Sequence, residues 1–296
     1  MSYGVFDAPL GGEEDLPVTM HHDIYPTIDP EPHFAAKTFK GKVVLVTGAS
    51  RGIGAEIALH YGRAGADLAL VGRKQAFLDA TKAAVLAAVP DARVLTFALD
   101  VVDTAAVEAA VNATVEHFGR LDVLVPNAGV LRPFRHYFIN EDPNGWWKTL
   151  EINLRGVYNF THFALPHLMK TKGNIIVISS MAAQMRGIGG TDYCISKHAL
   201  GRFTEFVVLE YPDVKMYSLH PGAVATEMND TSNAQMEMPD QPRLSAATCL
   251  YLSAGKAEYL SGRYVAALWD LAEVERDWKD KIVAQHALVS KLAIPA

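Results

Sequence analysis

Within the stretch ISSMAAQMRGIGGTDYCISK, a hydroxyl, a phenol and an amine stand at a spacing suited to proton transfer. Ser180 lies thirteen residues before Tyr193, and Lys197 lies four residues after it. A free tyrosine has a pKa of about 10 and is a poor base near neutrality. A neighbouring ammonium favours the phenolate, so Lys197 is expected to lower that pKa, and a nicotinamide cation would lower it further. Tyr193 would then exchange a proton with an alcohol or ketone oxygen. Ser180 would hold the same oxygen as charge develops on it. The Tyr-x-x-x-Lys spacing is not decisive alone. Tyr211 and Lys215 repeat it, with His198 in place of the upstream serine and Pro212 directly after the tyrosine. That copy reads as a helix-end aromatic and a solvated charge.

The elements around the three residues place them together. GNIIVISS is an apolar run closing on small polar residues, so it reads as a buried strand with Ser180 at its carboxyl end. Residues 191–210 read as a helix, which sets Tyr193 and Lys197 one turn apart on one face. A second constellation lies upstream. KVVLVT suits a central parallel strand. It runs into Gly48, Ala49, Ser50, Arg51, Gly52, Ile53 and Gly54, and then into a helical pattern. Strand, glycine turn and helix make a phosphate cradle: glycines let the backbone approach a pyrophosphate, and the helix start supplies unpaired N–H groups. The next strand ends in Gly72, Arg73 and Lys74, where an acidic residue would bind adenosine ribose hydroxyls. Arg73 and Arg51, with no carboxylate, suit a ribose 2′-phosphate. NADP(H) is therefore expected over NAD(H).

Taken together these segments resemble the short-chain dehydrogenase/reductase family of the compact type, over roughly residues 40–268. Thr47 to Gly54 is similar to its TGxxxGIG loop, and Ser180, Tyr193 and Lys197 to its catalytic positions. Asp100 and Val101 resemble the pair that contacts adenine. Asn127, Ala128 and Gly129 match most of an NNAG motif, with Pro126 in place of its first asparagine. Asn153 is similar to the helix asparagine that supports a water in a proton relay. Pro221, Gly222, Val224 and Thr226, in HPGAVAT, resemble the motif beside the nicotinamide carboxamide. The resemblance implies that Tyr193 is the acid or base, that Lys197 also binds the nicotinamide ribose, and that Ser180 orients the substrate. The phrase GRYVAALWD resembles fungal members.

The wider chain fits one α/β domain with appendages. Its 296 residues are half apolar, enough for a sizeable core. The formal net charge of −6, without a basic run, argues against nucleic acid or an anionic membrane as partner. Two cysteines give no disulfide framework, and no secretory signal pattern opens the chain, so the cytoplasm is expected. No metal site is expected, since His21, His22 and His33 lack fixed ligand spacing. Strands alternate with helices from 42 to 267, predicting a doubly wound, Rossmann-like parallel sheet of about seven strands in a single domain. Strands are expected at 42–47, 67–71, 93–98, 122–126, 174–179, 214–219 and 263–267. Helices are expected near 52–64, 74–88, 103–118, 143–170, 191–210 and 244–254. Residues 1–39 read as an extended arm, lying on the chain's own surface or across a partner subunit. Residues 40–268 form the catalytic domain. Residues 269–296 form a helical tail that docks on the domain or a neighbouring subunit.

The substrate wall is expected from Met181, Met185 and Ile188, from Met228, Met236 and Met238 after Pro221, and from Phe134 and Tyr137. Methionines adapt to apolar shapes, which points to a medium-sized, largely apolar ketone or secondary alcohol. Arg186 reads as a solvated charge and Cys194 as a helix-packing residue. The expected activity is NADP(H)-dependent ketone–alcohol interconversion in a homodimer or homotetramer. The alternatives are an NAD(H)-dependent alcohol dehydrogenase of the same family, a non-catalytic cofactor sensor on the same fold, and a lyase or epimerase without net redox change.

Overall fold

The computed structural model describes residues 11, 14–133, 137–186, 189–226 and 237–292. Seven strands, β1 (Val43–Thr47), β2 (Asp67–Gly72), β3 (Val94–Ala98), β4 (Val123–Val125), β5 (Asn174–Ile178), β6 (Lys215–His220) and β7 (Tyr264–Ala266), form one sheet in the order β3-β2-β1-β4-β5-β6-β7. Every pairing is parallel. A parallel sheet needs cover on both faces, and β1 shows how one strand serves both. Val44 and Val46 join one core layer while Val43 and Leu45 join the other, because successive side chains point to opposite faces. One layer is closed by α2 (Gly52–Arg63), α3 (Gln75–Ala88) and α8 (Pro242–Ser253), through residues such as Ile57, Leu78 and Leu250. The other is closed by α4 (Thr104–Phe118), α6 (Gly156–Thr171) and α7 (Thr191–Glu210), through Val111, Phe160 and Leu200.

The strand order reverses between β1 and β4, which opens a crevice at their carboxyl ends. Pro126 stops β4 there, since it offers no N–H to a ladder. Its carbonyl still accepts from the Ile178 N–H at 3.0 Å, so β5 stays paired alongside.

The expected helix over 143–170 is one helical run with an interruption. α5 (Pro143–Leu150) passes through a π turn at Glu151–Arg155 into α6. Such a turn inserts one residue and re-aims the side chains after it. Asn153 sits within it.

Residues 14–39 lie against their own chain. Tyr25, Ile28 and Phe39 are buried in the core, joined by a short helix α1 (Glu31–Ala36). The Tyr25 hydroxyl donates to the Trp269 carbonyl at 2.7 Å and accepts from the Leu271 N–H at 3.1 Å. Beyond β7, three short helical pieces, Leu271–Glu273, Val274–Trp278 and Lys279–Ala284, bury Leu271, Val274 and Ile282 on the same layer. Among the described residues, no helix is long and apolar enough to cross a membrane.

Candidate active site

The glycine turn after β1 has the backbone that a phosphate cradle needs. Gly48 and Gly52 have φ of +64° and +55°, a region that side chains other than glycine rarely adopt. At Gly54 a Cβ would stand 2.3 Å from the Gly48 carbonyl oxygen, so only glycine lets α2 press against the loop. No side chain caps the start of α2, which leaves its first N–H groups directed at the crevice. Asn127 locks this loop to the end of β4. Its Nδ2 donates to the carbonyls of Thr47 and Gly48 at 3.0 and 3.1 Å, while the Thr47 hydroxyl accepts the N–H groups of Asn127 and Ala128, both at 3.0 Å. These four hydrogen bonds join the loop to the chain directly after Pro126.

A cleft of about 740 Å³ runs along the carboxyl ends of the strands. Its walls include Gly48, Ser50, Arg51, Gly52, Ile53 and Arg73 at one end. Asp100, Val101, Asn127, Ala128 and Gly129 line the middle. Ser180, Tyr193, Lys197, Pro221, Gly222, Val224 and Thr226 line the other end. Two expected residues stand behind the wall. Gly54 is buried under the loop, and Asn153 is fully buried beneath Gly129. The Asn153 Oδ1 accepts from the Val130 N–H at 2.8 Å, and its Nδ2 donates to the Val130 carbonyl at 2.9 Å and to the Ser196 hydroxyl at 3.1 Å. It grips the turn after β4 rather than facing the cleft.

Ser180 caps a short 3-10 turn, Met181–Ala183, its hydroxyl accepting the Ala182 N–H at 3.1 Å. The same hydroxyl is hydrogen-bonded to the Tyr193 phenol. The Lys197 ammonium lies 5.6 Å from the centre of the Tyr193 ring and donates to the Ile178 carbonyl at 2.8 Å. Here the electrostatics reverse the expected direction. Burial of the hydroxyl pushes the Tyr193 pKa up, to about 12, and the Ser180 hydrogen bond only partly offsets it. Burial also pulls the Lys197 ammonium down to about 8. Desolvation penalises whichever form is charged. Sequence spacing places the two groups together but does not reveal how deep they lie. In the free protein the phenol holds its proton at neutral pH.

Two ion-pair systems that the sequence did not point to hold this end of the cleft. Asp192, buried next to Tyr193, accepts the Tyr193 N–H at 2.8 Å and the Thr149 hydroxyl at 2.7 Å, and pairs with Arg132 at 3.3 Å. Arg132 also meets Glu141 at 2.8 Å within the loop after β4, so through Asp192 that loop is tied to the start of α7. Asp240 closes the segment after Pro221. It lies under Gly222, accepts the Ala223 N–H, and meets His22 Nδ1 at 2.6 Å. Asp192 and Arg132 lie 60 residues apart and His22 and Asp240 lie 218 apart, so no local pattern announces those pairs.

Of the expected substrate wall, Met181, Met185 and Met238 line the cleft. Tyr137 does not, being about half exposed on the loop after β4. Phe134, Ile188, Met228 and Met236 lie outside the described residues. Arg186 is ion-paired to Glu14 at 3.2 Å rather than standing as a lone solvated charge. Cys194 is buried at the cleft wall. His21 bonds Asp270 and His33 bonds Thr38, so these histidines and His22 have separate partners.

The chain is similar to known proteins. Residues 42–237 match the family model described as short chain dehydrogenase. A short chain dehydrogenase of Monascus purpureus, mpl6, is 38% identical over 285 residues, covering 93% of this chain and 95% of that protein. The crystal structure of levodione reductase superposes with a TM-score of 0.72 at 30% identity, over 77% of this chain and 96% of that one. Carveol dehydrogenase from Mycobacterium avium, in complex with NAD, superposes with a TM-score of 0.70 at 25% identity, over 77% of this chain and 96% of that one.

Proposed function

Since the chain belongs to the short-chain dehydrogenase family, we propose that it is an NADP(H)-dependent oxidoreductase interconverting a ketone and a secondary alcohol. The observation that carries this reading is the phenol of Tyr193, hydrogen-bonded to Ser180 and beside Lys197 in a cleft shared with the glycine cradle. The cradle fits a dinucleotide: its positive-φ glycines and the uncapped start of α2 suit a pyrophosphate, and Asp100 and Val101, which line the same cleft, would contact the adenine. When bound, the nicotinamide supplies or accepts hydride.

The protein's own part is positioning and proton transfer. Ser180 holds the substrate oxygen, and Tyr193 delivers a proton to it in reduction or removes one in oxidation. Lys197 supports the negative charge that develops on the phenol oxygen as its proton leaves. Burial keeps the proton on the phenol at neutral pH in the free protein, the form that donates to a ketone oxygen. Met181, Met185 and Met238 favour a medium-sized, largely apolar substrate. Levodione reductase and carveol dehydrogenase are named for reducing one compound and oxidising another, which supports ketone–alcohol interconversion here. A panel of cyclic and aryl ketones offered with NADPH, and then with NADH, tests the reading. Loss of absorbance at the NADPH band is expected with at least one ketone, and a substrate consumed without any change in that band would instead indicate a lyase or epimerase.

A pH dependence follows from Lys197. Its ammonium is charged below about 8 and neutral above. Only the charged form aids proton departure from Tyr193. With cofactor limiting, kcat/KM reports the free enzyme, so the rate of ketone reduction should fall as pH rises through about 8. In Lys197→Met the residual rate should lack that limb. An unchanged limb in the variant would assign the titration to another group.

The exposed apolar face of α6 and α7, with Tyr158, Met169, Ile195, Phe206 and Leu209 at 47–74% exposure, supports a homodimer or homotetramer. A cytoplasmic location completes the proposal.

A further inference from the structure

A second chamber of about 350 Å³ adjoins the catalytic cleft. The two share Met181, His220 and Ala223 as a common wall. The outer wall of the chamber comes from outside the family-matched region and from the chain's far end: Met20 and His22 precede residue 42, and Tyr264 and Leu268 follow residue 237. Gly11, Gln184 and Pro239 complete it, with Glu14, Asp15, Glu237 and Asp240 as its carboxylates. The wall is held rather than draped. His22 bonds Asp240 at 2.6 Å, its carbonyl accepts the Gln241 N–H at 2.9 Å, and Met20 forms a β-bridge with Trp269. Residues 14–23 therefore enclose space that opens onto the reacting end of the cleft.

His220 stands at the junction and is not used by the proton chemistry. It is 8% exposed at the end of β6, with its ring stacked near Tyr264. Its Nδ1 accepts a long hydrogen bond from the Gly222 N–H at 3.4 Å. An accepting Nδ1 places the ring proton on Nε2. Among the described residues, that N–H has no hydrogen-bond partner. Burial pulls the ring down to about 4, so it is a neutral donor across the physiological range. The ring lines both chambers, so a ligand oxygen in either one would accept from it.

We propose that the substrate extends past the reacting carbon into this second chamber, and that His220 binds a second oxygen function of the substrate through its Nε2–H. The substrate class becomes an elongated, largely apolar ketone or alcohol carrying a hydroxyl or carbonyl oxygen away from the reacting centre. Met20, Leu268 and Tyr264 supply apolar wall for the intervening skeleton. The inference rests on the ketone–alcohol reading above.

The probes are butan-2-one, 4-phenylbutan-2-one, and its ortho-, meta- and para-hydroxyphenyl isomers, which scan the position of the second oxygen. In the wild type at least one hydroxyphenyl isomer should exceed 4-phenylbutan-2-one in kcat/KM by about tenfold or more, as the His220 N–H gains a ligand partner away from water. His220→Phe should bring that ratio to about one, while His220→Asn, which keeps a donor, should preserve part of it. Met20→Trp, which fills the chamber from the opposite wall, should lower the ratio of the favoured isomer to butan-2-one by about tenfold. Equal rates for all four phenylbutanones, or an advantage that survives His220→Phe, would overturn the proposal. Calorimetric binding of the same series to the NADPH complex of Tyr193→Phe separates the two readings. Isomer-selective binding lost in His220→Phe supports the chamber even if no ketone turns over. Binding without selectivity overturns it even if reduction is observed.

Discussion

Replacing Tyr193 by phenylalanine should reduce ketone turnover by about 10²–10⁴-fold, the contribution of a positioned general acid, while NADPH binding changes by no more than about twofold. The two outcomes separate because of where the hydroxyl lies. The ring of Tyr193 is retained in the variant, so the packing of α7 against the 3-10 turn after Ser180 is kept. The glycine cradle lies at the other end of the cleft and touches none of the atoms removed. Ser180 still has the Ala182 N–H to accept, so no buried hydroxyl is orphaned. Stability should therefore stay near wild type. Single-turnover oxidation of NADPH with excess ketone measures the chemical step, and quenching or enhancement of NADPH fluorescence on titration measures binding. Turnover within about tenfold of wild type would remove the phenol from the mechanism. Ser180→Ala should cost less, because the phenol would remain to donate to the substrate oxygen. The double variant should fall short of the summed effects, as residues acting as a unit are not additive.

What the chain's letters disclose and what they conceal follows a physical line. The strands are legible because a parallel sheet buried on both faces demands short apolar, β-branched runs, and each observed strand lies within two residues of its expected range. The cradle and the Ser–Tyr–Lys group are legible because each depends on spacing along one turn or one helix face. The π turn at Glu151–Arg155 is hidden, since a single added residue barely disturbs a 3.6-residue apolar period. Asp192–Arg132 and His22–Asp240 are hidden for a different reason: their partners meet only through tertiary folding. The sign of the Tyr193 shift is the most instructive failure. Proximity to an ammonium is written in the spacing, but burial is a property of everything packed around the site, and burial is the largest cause of the upward shift. The fate of residues 1–39 was likewise open. Their Pro- and His-rich composition suits an arm, yet Tyr25, Ile28 and Phe39 are core residues once Trp269 and Tyr61 are present to receive them.

The double variant Arg51→Ala, Arg73→Ala should weaken NADPH binding by about 10²–10⁴-fold, taking roughly 1.5–3 kcal/mol for each charge-assisted hydrogen bond lost. NADH binding should change little, because it carries no 2′-phosphate. Both arginines and Lys74 line the end of the cleft beyond β2, and Asp100 is the one carboxylate along the whole cleft among the described residues. A related structure holds NAD, so the local geometry of this chain has to decide the preference. That geometry favours the 2′-phosphate. At Gly72, where a ribose-binding carboxylate would be placed, a Cβ would stand 2.2 Å from the Ser50 hydroxyl and 3.2 Å from Leu78. A side chain there collides with the cradle itself. Gly72→Asp should thus fail to confer NADH preference and should weaken both cofactors by displacing Ser50, whereas Gly72→Asp with Ser50→Gly should recover NADH binding first. Competitive titration with 2′-phosphoadenosine ribose and with adenosine diphosphoribose reads these affinities without turnover. Equal affinity of the wild type for the two analogues, or an undiminished NADPH affinity in the double arginine variant, would reassign the preference.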